Sequence, residues 1–369
     1  MDKVRIGVIG CGQIANMSHF PRYVSYPDAE IVAACDIRRD RLDAACETYK
    51  IPNKYTDFRK MLERDDLDAI DVCLHNNMHA PATIAALRAG KNVYCEKPIA
   101  GSYADGKIMV DTAKECGKKL HIQLGFLYQP NSRAAKNLIE GGKLGHIYHM
   151  RSIGYRRRGR PYVDGYGAIE FAQKHVAAGG ALFDMGVYHI SQLLYLTNMP
   201  KVEKITGRIY REMNNADPVK VAESGFNVEE LGTGFVRFSD GLTMDILESW
   251  SVHMNPFEES CIFGSDGGIR LEPFGFYTTM CDLELSATVN TKGYDSRMHE
   301  MYPNDIVNYD SSTRHWISAL RGKIELLPTA ELALQTMLIQ EGIYMSSARN
   351  EEITADEVIA TSKSNALVI

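Results

Sequence analysis

A glycine-rich segment near the start of the chain has the spacing of a phosphate-binding loop. Gly10-Cys11-Gly12-Gln13-Ile14-Ala15 follows the apolar run from Val4 to Ile9 and precedes a helix-length stretch. In G-x-G-x-x-G/A, the first glycine permits a tight turn, the second lets phosphates approach the backbone, and the last small residue lets the helix pack closely on the strand. Because N–H groups at the helix N-terminus then face the phosphates, the segment predicts a pyrophosphate site.

An acidic residue downstream makes this prediction more specific. Asp36 ends the second strand-like run, where a carboxylate accepts hydrogen bonds from the adenosine ribose hydroxyls and repels a 2′-phosphate. Arg38 and Arg39 are close enough in sequence to neutralise such a phosphate, although a solvated helix start is the simpler role for both. The sequence therefore predicts NAD as cofactor, in preference to NADP.

Alternating strands and helices must position these residues. Apolar runs at 4–9, 31–35, 69–74, 92–95 and 120–124 are separated by helical patterns, among them Arg39 to Tyr49 and Tyr103 to Cys116. Strands that alternate with helices become neighbours through right-handed crossovers. This half of the chain is predicted to be a doubly wound α/β domain with a parallel sheet, covering residues 1–125.

The pattern changes after Gly125. A helix is predicted from Ser132 to Glu140 and a strand from Ile147 to Arg158, and a further helix near Phe183 to Leu196. Alternating strands then dominate up to about residue 271, and Asp-Gly at 240–241 is a strong hairpin signal. Residues 126–369 are therefore predicted to form an α+β domain with an open, mainly antiparallel sheet, closed by helices at 315–320 and 329–348.

Composition excludes several classes of protein. The 369 residues are 45% hydrophobic and 24% charged, which is typical of globular domains, and the length suits two of them. The net charge of −6 gives no general attraction to nucleic acid. The eight cysteines form no CxxC pair, so no metal is expected. No apolar run is long enough to span a membrane, and a cytoplasmic protein is predicted.

Three further motifs lie where the predicted elements end. Asp71-Val-Cys-Leu-His-Asn-Asn-Met-His79-Ala80 follows the third strand, and Glu96-Lys97-Pro98 follows the fourth. Gly179-Gly180-Ala-Leu-Phe-Asp184-Met-Gly186-Val-Tyr188-His189 opens a helix in the second half. With the glycine loop, and in this order, these motifs resemble the Gfo/Idh/MocA oxidoreductases. The resemblance extends over essentially the whole chain, and it implies an N-terminal Rossmann domain and a C-terminal α+β domain.

The resemblance implies roles for individual residues. Lys97 is expected beside the nicotinamide, where its ammonium stabilises the alkoxide that forms during oxidation. Pro98 is expected to follow a cis peptide bond, and Glu96 to orient the lysine or the ribose. His19 and His79 match family positions near the cofactor, although packing explains each equally well. The predicted cofactor-binding residues are Gly10, Gly12, Gln13, Ile14, Asp36, Leu74, His75, Asn77, His79, Glu96 and Lys97.

The proton-transfer residue is left between two neighbours. The commonest family pattern has histidine four residues after Asp184, but here Tyr188 occupies that position and His189 follows. On a continuous helix Tyr188 shares the face of Asp184 and His189 does not, which favours Tyr188. His189 reaches the same site only if the helix begins irregularly. The predicted catalytic set is Lys97, Tyr188, His189 and Asp184.

The substrate side carries basic and aromatic residues. Strand alternation directs Arg156 and Arg158 to one face, and Tyr166 and His175 follow before the Asp184 motif. Such side chains suit sugars through stacking and hydroxyl hydrogen bonds, whereas a solvated basic strand edge is the alternative. Arg156, Arg158, Tyr166, His175, Asp184 and His189 are the predicted substrate-binding residues.

Together these features predict an NAD-dependent dehydrogenase acting on a secondary hydroxyl of a sugar, cyclitol or glycoside, with C3 of a glucoside as the narrower expectation. Two other functions keep the same motifs: an NAD-dependent glycoside hydrolase or lyase that uses transient oxidation, and a non-catalytic dinucleotide and sugar sensor. The expected partners are a small-molecule substrate and further copies of the chain in a homo-oligomer, dimer or tetramer, with no nucleic acid and no membrane.

Overall fold

The computed structural model describes residues 3–255, 259–301 and 311–368. These divide into two compact units. Unit 1 holds the described residues within Met1–Gln123, Tyr309–Glu331 and Ser364–Ile369, and unit 2 holds those within Leu124–Asn308 and Leu332–Lys363. The sequence prediction placed one boundary between residues 125 and 126. The structure divides the chain close to that point and also returns two later segments to unit 1.

Strands alternate with helices in unit 1, and strands predominate in unit 2. The strands are β1 Val4–Ile9, β2 Ala29–Cys35, β3 Asn53–Tyr55, β4 Ala69–Val72, β5 Asn92–Cys95, β6 Leu120–Ile122, β7 Ile147–Tyr155, β8 Val202–Tyr210, β9 Leu231–Phe238, β10 Thr243–Ser249, β11 Cys261–Gly264, β12 Gly267–Arg270, β13 Gly275–Met280, β14 Leu283–Thr288 and β15 Ile353–Thr354. The α-helices are α1 Phe20–Ser25, α2 Arg39–Tyr49, α3 Phe58–Leu62, α4 Asn76–Arg88, α5 Tyr103–Glu115, α6 Pro130–Glu140, α7 Lys174–Ala177, α8 Ala181–Asp184, α9 Gly186–Leu196, α10 Pro218–Ser224, α11 Thr291–Met301, α12 Ser312–Leu320, α13 Thr329–Arg349 and α14 Ala355–Thr361. A π-helical turn, Ala15–His19, precedes α1, and 3₁₀ turns cover Gly125–Tyr128 and Ile169–Ala172.

Unit 1 is a doubly wound parallel sheet. Its strand order is β3-β2-β1-β4-β5-β6, and every neighbouring pair is parallel. The order reverses at β1, so the loops after β1 and β4 diverge from adjacent strand ends. Open α/β sheets bind ligands at this switch point, outside the carboxyl ends of the strands. The fold therefore brings the glycine loop and the Asp71–Ala80 motif to the same edge.

Helix α12 joins unit 1 although it lies far along the sequence. Its Trp316 is fully buried, and the indole stacks on His121 of β6 at 5.7 Å between ring centroids. The hydroxyl of Tyr94 on β5 donates to Ser312 Oγ at 2.9 Å. A large aromatic buried against two strands stabilises this docking by several kcal/mol, roughly the 3–5 kcal/mol that truncating a buried Trp costs. Contacts of this kind explain why a single boundary does not describe the chain.

Unit 2 is built on an open sheet with the order β14-β13-β12-β11-β7-β10-β9-β8-β15. All neighbouring pairs are antiparallel except β7 and β10. The predicted hairpin joins β9 to β10, with Gly241 at φ +87°, a conformation that favours glycine. The fold class predicted from the sequence is thereby confirmed.

Two predicted elements of unit 2 differ from the structure. The strand predicted to reach Arg158 ends at Tyr155, because the chain leaves the sheet at the basic segment. The helix predicted from Phe183 to Leu196 is divided into α8 and α9 by a turn at Met185. Strands β13 and β14 were not predicted, since β14 is exposed at all six positions and lacks an inward apolar face. No helix in the described part of the chain has the length and apolarity needed to cross a membrane.

Candidate active site

The two glycines of the predicted phosphate loop have different environments. Gly10 has φ +100°, and a Cβ there would lie 2.2 Å from the carbonyl oxygen of Cys73, so the neighbouring strand end requires glycine. Gly12 has no such constraint, because the nearest atom to its added Cβ is Arg41 Nη1 at 4.0 Å. The protein itself leaves the space at Gly12 open. That opening, three residues before the π-helical turn, fits the close approach of a pyrophosphate.

Asp36 accepts a hydrogen bond from the backbone of the same glycine loop. Its Oδ2 accepts from Cys11 N at 2.8 Å and its Oδ1 accepts from Arg38 N at 2.8 Å. A carboxylate oxygen accepts more than one hydrogen bond, so both atoms retain acceptor capacity for ribose hydroxyls. The Arg38 side chain forms two hydrogen bonds with Asp40, which draws it away from neutralising a 2′-phosphate. These residues fit NAD.

His79 lies between the loops that follow β4 and β5, where its neutral ring donates one hydrogen bond. Its Nδ1 lies 2.7 Å from the carbonyl oxygen of Pro98, and its Nε2 lies 3.0 Å from that of Leu74. The ring is fully buried, and burial lowers the pKa of His79. The bond between Lys97 and Pro98 is cis, as the resemblance implied. Leu74, His75 and Lys97 are half-buried, Asn77 is buried, and Gln13 and Ile14 are exposed on the glycine loop.

A chain of buried ionisable side chains fixes the backbone at Lys97, in the loop that follows β5. His19, at the end of the π-helical turn, places Nδ1 2.7 Å from Asp71 Oδ2 and Nε2 2.7 Å from Glu96 Oε1. Burial, the largest single influence, would lower the pKa of His19, but the charge of Asp71, its hydrogen bond and the neighbouring Cys73 together raise the pKa well above its ordinary value. An imidazolium can donate from both nitrogens. Glu96 Oε2 in turn accepts from Lys97 N at 3.0 Å, so the chain fixes the backbone of the lysine.

His19, Asp71 and Cys73 bring their potential ligand atoms within 4.8 Å of one another, which raises the question of a metal. Both nitrogens of His19 already face carboxylates. Burial, followed by the charge of Asp71, raises the pKa of Cys73 to about 12, so the thiol stays protonated and is a poor ligand. The cluster is therefore explained as a hydrogen-bonded ionic network.

In unit 2, the Gly179-Gly180 pair is explained by close packing. A Cβ on Gly179 would lie 2.2 Å from the hydroxyl oxygen of Tyr344, and one on Gly180 would lie 2.0 Å from the carbonyl oxygen of Glu229. The buried carboxylate of Glu229 accepts from Gly180 N and Leu182 N at 2.8 and 2.9 Å. Burial raises the pKa of Glu229. These contacts fix the start of α8 and hence Asp184.

A turn at Met185 lies within the segment on which the argument for Tyr188 depends. Across it, Tyr188 N donates to the carbonyl of Met185 three residues earlier, while Met185 itself keeps a right-handed helical φ of −93° and ψ of −43°. The choice between Tyr188 and His189 therefore stays open. Asp184 Oδ2 accepts from Trp250 Nε1 at 3.0 Å. Tyr188 stacks on Phe126 with 4.9 Å between centroids, and His189 meets the same ring edge-on at 5.4 Å. The Phe126 ring therefore packs against both candidate proton acceptors, Tyr188 and His189.

His189 has a buried carboxylate partner. Its Nδ1 lies 3.0 Å from Glu248 Oε2 and 3.1 Å from Oε1, and the Glu248 side chain is 0% exposed. Burial alone would lower the pKa of His189, but the charge and the hydrogen bond of Glu248 raise it above its ordinary value. This arrangement suits a proton acceptor, because the carboxylate faces Nδ1 and leaves Nε2 as the second ring nitrogen.

The predicted substrate residues are placed by a loop rather than by strand alternation. Arg156 lies beyond β7, and its Nη1 donates to Tyr166 Oη at 2.6 Å. Arg158 is exposed and donates from Nε to the buried carboxylate of Asp164 at 3.0 Å. His175 lies on the four-residue helix α7 and is exposed. The alternation argument for Arg156 and Arg158 is therefore wrong, because both follow the end of the strand.

Sequence reasoning missed the buried partners of these residues. Arg160 is fully buried and donates to Asp164 and Glu230, a network that anchors the Gly/Tyr-rich loop. Glu248 had a detectable signal, because it follows Met244 and Ile246 at a spacing of two on the inward face of a strand. A charged residue at such a position is costly unless it is paired. Asp71, inside the fully buried strand β4, carries the same signal.

Fold and site together define the class: a two-unit, NAD-binding oxidoreductase with its dinucleotide loop in unit 1. The model of the oxidoreductase family with an NAD-binding Rossmann fold matches residues 4–124, and that of the GFO/IDH/MocA C-terminal domain matches residues 132–270. The chain belongs to the Gfo/Idh/MocA family. This confirms the predicted family, the enzyme class of a dehydrogenase acting on CH–OH, and NAD as cofactor.

Individual relatives cover most or part of the chain. It is 28% identical to the D-glucoside 3-dehydrogenase of Escherichia coli strain K12, over 93% of this chain and 95% of that protein. It is 33% identical to an inositol 2-dehydrogenase of Salmonella typhimurium strain LT2, over 38% of this chain and 43% of that protein. The crystal structure of an oxidoreductase domain protein from Kribbella flavida superposes with a TM-score of 0.80 at 20% identity, covering 96% and 100% of the two chains.

Proposed function

We propose that this protein oxidises a secondary hydroxyl of a sugar, cyclitol or glycoside, with C3 of a glucoside as the favoured position. The observation that carries the proposal is the placement of Lys97 after the carboxyl end of β5, where Glu96 accepts from Lys97 N and His79 of α4 contacts the carbonyl of Pro98. The similarity to a D-glucoside 3-dehydrogenase over nearly the whole chain supports the substrate class.

Each residue is assigned a step. NAD⁺, which the glycine loop and Asp36 would hold, would supply the hydride acceptor for the carbinol carbon. The Lys97 ammonium donates a hydrogen bond to the reacting oxygen and stabilises the negative charge that develops on it. His189 or Tyr188 accepts the hydroxyl proton, and the Glu248 partner favours His189. Asp184, oriented by Trp250, accepts a hydrogen bond from a substrate hydroxyl.

The exposed basic loop supplies further substrate contacts in this proposal. The Arg156 guanidinium lies 5.4 Å from the centre of the Tyr166 ring and also hydrogen-bonds its hydroxyl, so the two side chains form a single polar and aromatic surface. Such a surface suits the faces and hydroxyls of a sugar ring. Arg158 and His175 are also exposed, and the proposal assigns them to the substrate side as well.

The test is a screen of free sugars, cyclitols and glycosides with NAD⁺, followed by NADH absorbance and by product analysis. Steady NADH accumulation that depends on one of these classes supports the proposal. Cleavage of a glycoside without NADH accumulation identifies the hydrolase or lyase instead. Binding of NAD⁺ and a sugar with neither signal identifies the sensor, and either result overturns the dehydrogenase.

A further inference from the structure

Glu248 occupies an unusual place for a charged side chain. It lies on β10 in the middle of the unit 2 sheet, and its side chain is 0% exposed. Its Oε1 accepts from Ser152 Oγ of β7 at 2.9 Å, and both carboxylate oxygens lie within 3.1 Å of His189 Nδ1. A buried carboxylate is costly unless it is paired, so the imidazole is its essential partner.

The neighbouring strand, β7, has a glycine at the position that faces the pair of Glu248 and His189. Gly154 of β7 is the register partner of Glu248 in the parallel pairing. A Cβ at Gly154 would lie 2.2 Å from His189 Cε1 and 2.3 Å from Glu248 Oε2. Any side chain there would separate or displace the two residues. The His189 ring therefore packs in a space formed by Gly154, Ser152 and Glu248. The ring of Phe126 contacts the imidazole edge-on.

Among the described residues, the charged groups with the leading effects on the pKa of His189 are Glu248, Glu259 and Arg156. Glu248 and, more weakly, Glu259 favour the imidazolium, whereas Arg156 disfavours it. Of these three groups, Glu248 is the one that pairs directly with the ring, at Nδ1. An ionised carboxylate accepts and does not donate, so the proton of the neutral imidazole must lie on Nδ1, and Nε2 is the atom that gains a proton.

We propose that Glu248 is a positioning residue that holds His189 with Nε2 as the proton acceptor for the reacting hydroxyl. This inference rests on the proposed function. In the step, the O–H bond of the substrate breaks and an N–H bond forms at Nε2, while the C–H electron pair leaves as hydride to NAD⁺. The carbinol becomes a carbonyl, and the oxidant is the bound cofactor. Glu248 stabilises the imidazolium that results, as a buried carboxylate does in hydrolase triads.

A substrate-free measurement tests the pair directly. Histidine NMR titrations would be compared for the unaltered protein and for Glu248→Gln, with His189→Gln assigning the resonance. The Gln amide can retain the contact with Ser152 and donate from its NH₂ to Nδ1, which moves the ring proton to Nε2. We expect the pKa of His189 to fall and the neutral tautomer to change. An unchanged pKa and tautomer would overturn the proposal.

Kinetics provide the second readout. Because the acceptor must be deprotonated, kcat/KM for oxidation should rise with pH through the His189 pKa, and Glu248→Gln should move that rise to lower pH. We expect kcat to fall by about 10²–10⁴-fold with the Kd for NAD⁺ unchanged, as for a lost tautomer-fixing carboxylate. Glu248→Asp should restore part of the loss. Glu259→Gln, which removes a nearby charge that does not contact the ring, is the matched control and should stay within about threefold.

The two proposals fail in different ways. If the unaltered protein oxidises no sugar, cyclitol or glycoside, the proposed function fails while the NMR experiment still decides whether Glu248 sets the state of His189. If the protein is active and Glu248→Gln keeps the normal rate and pH profile, the positioning role fails and the dehydrogenase remains.

Discussion

At the scale of single residues, we expect Gly10 to be needed for stability and Gly12 for NAD⁺ binding. Gly10→Ala places a Cβ against the Cys73 carbonyl at positive φ, so we expect a loss of roughly 1–3 kcal/mol or more in the free energy of unfolding. Gly12→Ala has open space and should change stability by less than about 0.5 kcal/mol. It should nevertheless weaken NAD⁺ binding about tenfold or more. Thermal unfolding and cofactor titration of both variants check this, and equal effects on stability would contradict it.

We expect Asp36 to determine the choice between NAD⁺ and NADP⁺ as cofactor. In the unaltered protein NAD⁺ should bind more tightly than NADP⁺, since the carboxylate accepts from ribose hydroxyls and repels a phosphate. Asp36→Ala should narrow the ratio of the two Kd values. It should also weaken both, because Asp36 holds Cys11 N. Fluorescence titration measures the ratio, and equal or reversed affinities before mutation would refute the assignment.

Lys97 is expected to act in turnover rather than in binding. Lys97→Ala removes the charge that stabilises the alkoxide, so kcat should fall about a hundredfold or more. The Kd for NAD⁺ should change little, because the backbone of the loop is fixed by Glu96 and His79. Steady-state kinetics and cofactor titration give the two numbers. A variant with nearly normal kcat would remove Lys97 from the mechanism.

At the scale of elements, the docking of α12 on unit 1 depends on a neutral histidine. His315 Nε2 accepts from Leu327 N at 2.9 Å, and burial lowers the pKa of His315 from 6.5 to about 4. The unfolded chain therefore binds the proton more readily than the folded one. Stability from this group is fully present above pH 6.5 and is lost as the pH falls towards 4, by roughly 3 kcal/mol at most.

His315→Gln tests that dependence, because the Gln carbonyl can still accept from Leu327 N. We expect the variant to lose less stability than the unaltered protein between pH 6.5 and 4, measured by urea unfolding at each pH. Carboxylates that titrate in this range affect both proteins equally and cancel in the comparison. Parallel curves for the two proteins would show that His315 is not the sensitive group.

At the scale of the whole molecule, we expect a homo-oligomer. The outward face of the unit 2 sheet carries Phe235 beside His149, and His149 and Arg151 both pair with Asp245. An open sheet face with half-buried aromatics is a surface that association would cover. Light scattering at micromolar concentration should give a mass of two or four times 41.3 kDa.

Phe235→Asp should shift the oligomer towards single chains, since it places a charge among the residues to be covered. Val219→Asp, at an exposed position on α10, is the matched control and should keep the assembled mass. A mass near 41.3 kDa for the unaltered protein would contradict the expectation.

The sequence by itself determined the features that depend on local order. The bounds of β1, β5 and α2 match those predicted, because each has a period of 3.6 or a continuous apolar run with turn residues near its ends. The dinucleotide loop and Asp36 were predicted for the same reason, since their function depends on spacing along the chain. The roles of the predicted site residues remain predictions.

The tertiary structure alone decided which distant residues became partners. The chain from His19 to Asp71 and Glu96, and the pair of His189 with Glu248, join positions far apart in sequence that no periodicity connects. The division of one predicted helix into α8 and α9 at Met185 is likewise visible only in the folded chain. The local sequence pattern determines which face of its helix or strand a side chain occupies. The residues that it contacts on that face are determined only when the chain folds.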